Sequence, residues 1–134
     1  MSLIFVVNDH ELQRKLQADL IESALEEEAR TFDDGTALLG WYDARLKLPE
    51  GKRHLPSCIV LNNFMLELHG PETLLRLRKM EHEHGLRRTP VIATSTMFGD
   101  GDRKVFERHA DAMLDVPFSV PEFLATLRRL LPQA

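Results

Sequence analysis

"CIVLNNFMLELHG", residues 58–70, decides the reading of this chain. Cys58, Ile59, Val60 and Leu61 run without alternation into Asn62 and Asn63, and a second apolar patch stops at Gly70. An unbroken apolar run ended by polar residues fits a strand buried on both faces. In an α/β protein the C-terminal end of such a strand is where ligands bind and chemistry sits. Here that end presents two amides and no carboxylate.

Outward from this stretch, short apolar runs alternate with segments of helical period. "LIFVVN" (3–8), "ARTF" (29–32), "SCIVLN" (57–62), "PVIATS" (90–95) and "AMLD" (112–115) read as strands. The segment from His10 to Leu25 carries Leu12, Leu16, Leu20, Ile21 and Leu25 at mostly helical spacings. Further helices are expected over 36–46, 71–84, 102–109 and 121–131, with proline in the first turn of the third and Gly85 as its stop. Residues 47–56, bounded by prolines, read as a polar loop. Five βα units in alternation imply one parallel sheet covered on both faces, with right-handed crossovers. Strand ends alone then nominate Asn8 and Asp9, Asn62, Ser95, and Asp115 with Val116 as the residues of a site.

The bulk numbers bound the function. A chain of 134 residues is one domain's worth, so 1–134 is read as a single domain. Hydrophobic residues at 43% and charged residues at 28% exclude disorder. A net charge of -4 argues against a nucleic-acid or anionic-membrane surface. No apolar run approaches the roughly 20 residues of a membrane span, and no signal segment is recognisable. The single cysteine, Cys58, excludes an intrachain disulfide and fits a buried apolar position in a reducing compartment. A cytoplasmic protein is expected.

With these positions in order, the sequence resembles a response-regulator receiver domain over nearly its whole length. The resemblance implies a flavodoxin-like (βα)5 fold, a doubly wound five-stranded parallel sheet of order 2-1-3-4-5. Receivers place two acidic residues after the first strand; Asn8 and Asp9 stand there. They place a phospho-accepting aspartate at the end of the third strand, eight residues before a glycine; counting back from Gly70 gives Asn62. The Ser/Thr that ends the fourth strand is matched by Ser95, and the Lys-Pro pair after the fifth by Val116-Pro117. Met113 takes the switch aromatic's position, and Pro117 is expected to follow a cis bond. Residues 41–56 and 85–96 are similar to the stand-alone receivers paired with bacterial phytochrome kinases.

The departures carry the functional reading. Receiver phosphotransfer rests on positioning and on charge neutralisation by magnesium and lysine. Magnesium wants hard oxygens, usually including carboxylates. Asn8 and Asn62 offer neutral amide oxygens, so of three expected carboxylates only Asp9 remains, and magnesium should bind weakly or not at all. An amide forms no stable acyl phosphate, and Val116 replaces the cation that would hold the phosphoryl oxygens. The expectation is a non-enzymatic interaction module that has lost phosphorylation chemistry. Its expected partners are a histidine kinase or another signalling protein, with a homodimer through the last helix and no resident cofactor. The alternative is a phosphotransfer-competent receiver with an unconventional acceptor, either Asp9 or an aspartate formed by deamidation of Asn62. An unrelated flavodoxin-like binding protein lacks the support of a Gly-rich phosphate loop.

Several features have plainer readings. Asp9 reads as a residual cation ligand or, more simply, as a helix N-cap. Ser95 is a switch hydroxyl or a locally hydrogen-bonded strand end. His82 and His84 of "EHEHG", two apart, point to different sides of a helix and read as a solvated helix end rather than a metal site. Met97 and Phe98 are exposed contacts or a cover over the site, and the stripe of "LRRLL" (127–131) reads mainly as core packing.

Overall fold

Each apolar run becomes a strand in the computed structural model, which describes residues 1–132. The order is β1 (Leu3–Val7), α1 (Glu11–Ala24), β2 (Glu28–Phe32), α2 (Gly35–Leu46), β3 (Cys58–Asn62), α3 (Gly70–Glu83), β4 (Val91–Ser95), α4 (Asp100–His109), β5 (Ala112–Asp115) and α5 (Val120–Leu130). All pairings are parallel, and the sheet order is β2-β1-β3-β4-β5. The order reverses between β1 and β3, which places the crevice at the C-terminal ends of those two strands.

The sheet divides two cores. Phe5, Val7, Ile59, Leu61 and Ala93 face α2, α3 and α4, where Tyr42, Leu74, Leu77 and Phe106 complete one cluster. Ile4, Val6, Cys58, Val60 and Ile92 face α1 and α5, against Ile21, Phe123, Leu124 and Leu127. Alternate residues of one strand thus enter opposite cores, which is why β1, β3 as far as Leu61, and β4 as far as Ala93 are apolar without a break. Burial, with the nearby charge of Asp111, pushes the Cys58 thiol up to about 12, leaving it an inert apolar group.

Most element ends agree with the sequence reading to within one residue, and the start of α4 and the loop before β3 differ more. α4 begins at Asp100 rather than Asp102. Gly99 takes the cap, and the first-turn carboxylates Asp100 and Asp102 favour a helix N-terminus there. Within the expected polar loop, Glu50–Lys52 forms one 3-10 turn. Gly85 follows α3 with a φ of 60°, a left-handed conformation that suits glycine as the stop.

At the N-terminal ends of the strands, a buried guanidinium ties four segments together. Arg78 donates to the carbonyls of His109 (2.8 Å) and Thr89 (2.8 Å) and to the carboxylates of Glu81 (2.9 Å) and Asp111 (3.3 Å). Glu81 in turn accepts from the Thr89 N–H (2.7 Å) and Asp111 from that of Val91 (2.9 Å). The fork geometry of arginine satisfies these acceptors together, which a lysine could not do.

At the other end, Asp34 caps α2, accepting from the Thr36 N–H at 2.9 Å, and also holds the β3–α3 loop through the N–H groups of Glu67 (3.1 Å) and Leu68 (3.2 Å). The neighbouring Gly35 allows α2 to approach this loop: a Cβ there would collide with Thr73 Oγ1 and come within 2.9 Å of the Leu68 carbonyl. Burial alone would raise the Asp34 carboxyl, but the three N–H donors outweigh it and hold it below its ordinary value of 3.8. A depressed carboxyl contributes stability that is present above its ordinary value and is lost as pH falls through the native one. Asp34→Asn should therefore cost about 1–2 kcal/mol at neutral pH. In urea unfolding, the difference between wild type and variant should shrink below pH 4, because only the wild type loses this contribution on acidification.

Candidate functional site

β1 and β3 end together. Val7 pairs with Leu61, so the next residues, Asn8 and Asn62, stand side by side, and Asn62 pairs on its other flank with Thr94. Ser95 pairs with Asp115 at the end of β5. The chain therefore brings Asn8, Asn62, Ser95 and Val116 to one end of the sheet, and the Val116 N–H donates to the Ser95 carbonyl at 2.8 Å. The Val116–Pro117 peptide is cis.

Both ends of the Asn62 amide are engaged. Its Nδ2 donates to the Phe64 carbonyl at 2.7 Å, and its Oδ1 accepts from the Thr94 hydroxyl at 3.2 Å. The hydroxyl bonded to the Asn62 side chain is thus that of Thr94, not Ser95. Asn8, 1% exposed, is similarly committed. Its Oδ1 accepts from the His10 N–H at 2.9 Å, and its Nδ2 donates to Gln13 Oε1 at 3.4 Å.

Asp9 is not the N-cap. His10 takes that role, with Nδ1 accepting from the Gln13 N–H at 3.3 Å. Asn8 orients the His10 N–H, which explains why the cap falls one residue later than the carboxylate suggests. Asp9 itself is partly buried at the edge of a hollow shared with Asp33, Asp34 and Glu67. Its carboxylate has no hydrogen-bond or ion-pair partner among the described residues.

The Asn62 neighbour that sequence reasoning passed over is Asn63. It is fully buried, on the α3/α4 side of the sheet. Its Nδ2 faces three acceptors: Ser95 Oγ (3.2 Å), the Met97 carbonyl (3.4 Å) and Asp102 Oδ2 (3.3 Å). Ser95 Oγ donates to the Met97 carbonyl at 2.7 Å and accepts from the Met97 N–H at 3.1 Å. Ser95 is therefore the locally bonded strand end, and one amide fastens β3 to the β4–α4 loop and the first turn of α4. The signal was the doubled asparagine itself. A strand's last two residues point to opposite faces, so the pair serves both sides. Gly70 sits directly behind, its N–H donating to the Asn63 carbonyl at 2.8 Å, and a Cβ there would lie 2.5 Å from the Asn62 carbonyl. This close approach accounts for glycine at that spacing.

The flanking residues separate by exposure. Met97 is 70% exposed, whereas Phe98 packs edge-on against Phe106 inside the core. Met113 is partly buried against the same core. The Val116 side chain faces α1, lining an apolar groove with Leu16, Leu20, Phe118 and Val120.

The donor set does not fit magnesium. The amide oxygens of Asn8 and Asn62 already accept hydrogen bonds, and the Phe64 carbonyl, another hard oxygen, is occupied by the Asn62 amide. Asp9 remains as one carboxylate. Among the described residues no three His, Cys, Asp or Glu side chains are grouped to hold a metal ion, and His82 and His84 lie exposed at the end of α3.

No family model matches the chain. It is 30% identical over 132 residues to the polar-differentiation response regulator DivK of Brucella ovis, covering 98% of this chain and 97% of the relative. This chain belongs to the response-regulator receiver family. The DivK protein of Brucella anthropi is 29% identical over the same length. Among solved structures, Vibrio cholerae chemotaxis protein CheY4 is similar with a TM-score of 0.77 at 21% identity, covering 98% of this chain and 99% of that one. The receiver domain of Francisella response regulator 1452 gives 0.76 at 20% identity, covering 97% of this chain and 96% of that one. The phosphorylated cyanobacterial phytochrome response regulator RcpA gives 0.70 at 20% identity, covering 96% of this chain and 89% of that one. The flavodoxin-like sheet order of the receiver is thus present throughout.

The Asn63 cluster generates a direct test. Asn63→Ala removes the one side-chain donor shared by Ser95, Met97 and Asp102 among the described residues, and should cost about 1–3 kcal/mol. Hydrogen exchange at the Met97 amide and the first turn of α4 should accelerate beyond this global loss, while β1 and β2 follow the global change alone. Uniform acceleration would mean that Asn63 does not fasten the loop.

Proposed function

We propose that this chain is a receiver-type interaction module of two-component phosphorelay signalling that works without accepting phosphate. The observation that carries the reading is the engagement of the Asn62 amide at both ends, with Val116 in place of a cation. An amide so placed is neither a nucleophile nor a metal ligand. On this reading the protein is not an enzyme, takes no cofactor and acts in the cytoplasm through contact with a histidine kinase or another signalling protein. No described helix is long and apolar enough to cross a membrane, and the net charge of -4 disfavours nucleic acid.

A contact surface supports the reading. Leu12 (73% exposed) and Leu16 (56% exposed) stand one turn apart on α1, beside the groove that Val116, Phe118 and Val120 complete. Apolar side chains grouped on a surface mark protein contact. The apolar stripe of α5 is buried in its own chain, so pairing through that helix would use an outward face of Glu122, Ala125 and Arg129.

A second reading keeps one specific observation: the Asp9 carboxylate is unpartnered and open to a hollow. Phosphotransfer to Asp9 would lack the lysine and two of the three carboxylates.

Incubation with a small acyl-phosphate donor and magnesium should leave the intact mass unchanged. Asn62→Asp alone should gain little. Asn8→Asp, Asn62→Asp and Val116→Lys together should gain more than their separate effects, because the groups act as one unit. A stoichiometric phosphoryl gain on the wild type, mapped to Asp9, would establish the second reading instead.

A further inference from the structure

The end of the sheet opposite the asparagine pair carries two charge patches of opposite sign. The α2–β3 loop, residues 47–57, holds Lys47, Lys52 and Arg53 against the single acid Glu50, and residues 84–90 add Arg87 and Arg88 with no acid. The two loops meet where Leu55, Pro56, Ser57 and Arg87 line one groove. Lys47 pairs with Asp43 and Arg88 with Asp111, and Arg53 spends its donors on the Leu48 and Leu46 carbonyls, but Lys52 and Arg87 are exposed with no hydrogen-bond or ion-pair partner among the described residues. Beside them, burial, helped by Arg108, Arg78 and Arg88, holds His109 below its ordinary range.

Across the same end, the turn into β2 holds Glu22, Glu26, Glu27 and Glu28, with no cation in residues 22–28. Glu22, Glu26 and Glu28 are exposed around an open hollow beside Met1. The acidic turn precedes β2 and the basic loops precede β3 and β4, so the patches lie on opposite sides of β1. At a strand spacing of about 4.8 Å, β2 and β4 are about 14 Å apart. That exceeds a Debye length of about 8 Å at physiological salt, so the patches do little to neutralise each other within one chain.

We propose that this end is a self-association surface, and that its occupant is a second copy of the chain. The strand order makes it self-complementary. A two-fold axis normal to the sheet, passing between β1 and β3, brings β2 of one copy over β4 of the other and β1 over β3. The acidic turn of each copy then faces the basic loops of its partner, and the contact is made twice, as an isologous interface requires. Exposed Met1 and Leu48 lie on the same end and add apolar area. The surface is independent of the asparagine pair and leaves the α1 groove free.

Sedimentation velocity on the full chain tests this without any variant. A concentration-dependent dimer should form at about 50 mM salt and weaken about tenfold or more at about 500 mM. Lys52→Glu with Arg87→Glu should abolish it, as should Glu26→Lys with Glu28→Lys, both at exposed positions where folding is checked by circular dichroism. Mixed together, the two variants should pair with each other, because the mixture restores every opposite-charge contact. A wild-type chain that stays monomeric at low salt, a dimer indifferent to salt or to either reversal, or variants that fail to pair when mixed would overturn the proposal. Retention of the acidic segment of another protein by a monomeric chain would likewise assign the basic patch to a different occupant.

Discussion

A parallel sheet buried on both faces admits a polar side chain only where it finds a partner, and in β1, β3 and β4 that is at the C-terminal end. Everything at the candidate site follows from that constraint. β1, β3 and β4 feed alternate residues into two cores, so their first polar residues appear together at one end, where the winding order reverses. Asn8, Asn63 and Ser95 are buried there and Asn62 is partly buried, and a shielded polar group must find partners or cost stability. Most find them: Asn8 in the start of α1, Asn62 in Phe64 and Thr94, and Asn63 Nδ2 in the β4–α4 loop and α4, while Asn63 Oδ1 is left without one.

The chemical difference between an amide and a carboxylate determines what that end can do. A carboxylate would accept only, would repel its neighbours and would draw a cation. An amide donates as well, so it can close a hydrogen bond on a carbonyl that a metal would otherwise share. The Asn62–Phe64 contact does this on one face, and Asn63 does the same on Met97 across the sheet. The β4–α4 loop is thereby fastened by groups the chain carries permanently. Such a loop needs no added phosphoryl group to hold one position, which is the physical content of the proposed phosphate-independent role.

Much of this was legible in the residues. Unbroken apolar runs separated by helical periods predicted the five strands, and the strand ends nominated Asn8, Asn62, Ser95 and Val116 before any geometry was known. What escaped were features set by side-chain direction and by distant partners. Asn63 looked like a repeat of Asn62, because nothing local shows that Asp102, 39 residues away, waits on the other face. His10 took the cap expected of Asp9 because the Asn8 side chain turned the His10 N–H toward itself. Nothing local marks Asp34, in the "DDG" between β2 and α2, as the holder of residues 67 and 68, because that hold depends on how α2 docks beside Gly35. The 3-10 turn at Glu50–Lys52 sits between prolines in a stretch with neither period.

The central claim is that the asparagine end is chemically closed to phosphate. The most direct measurement is the amide spectrum of the nitrogen-15-labelled chain, titrated with magnesium and beryllium fluoride, a mimic of the phosphoryl group. The account predicts that the resonances of Asn62, Ser95, Met97 and Asp102 stay in place through the titration. Saturable shifts at these residues, absent when either component is withheld, would contradict it.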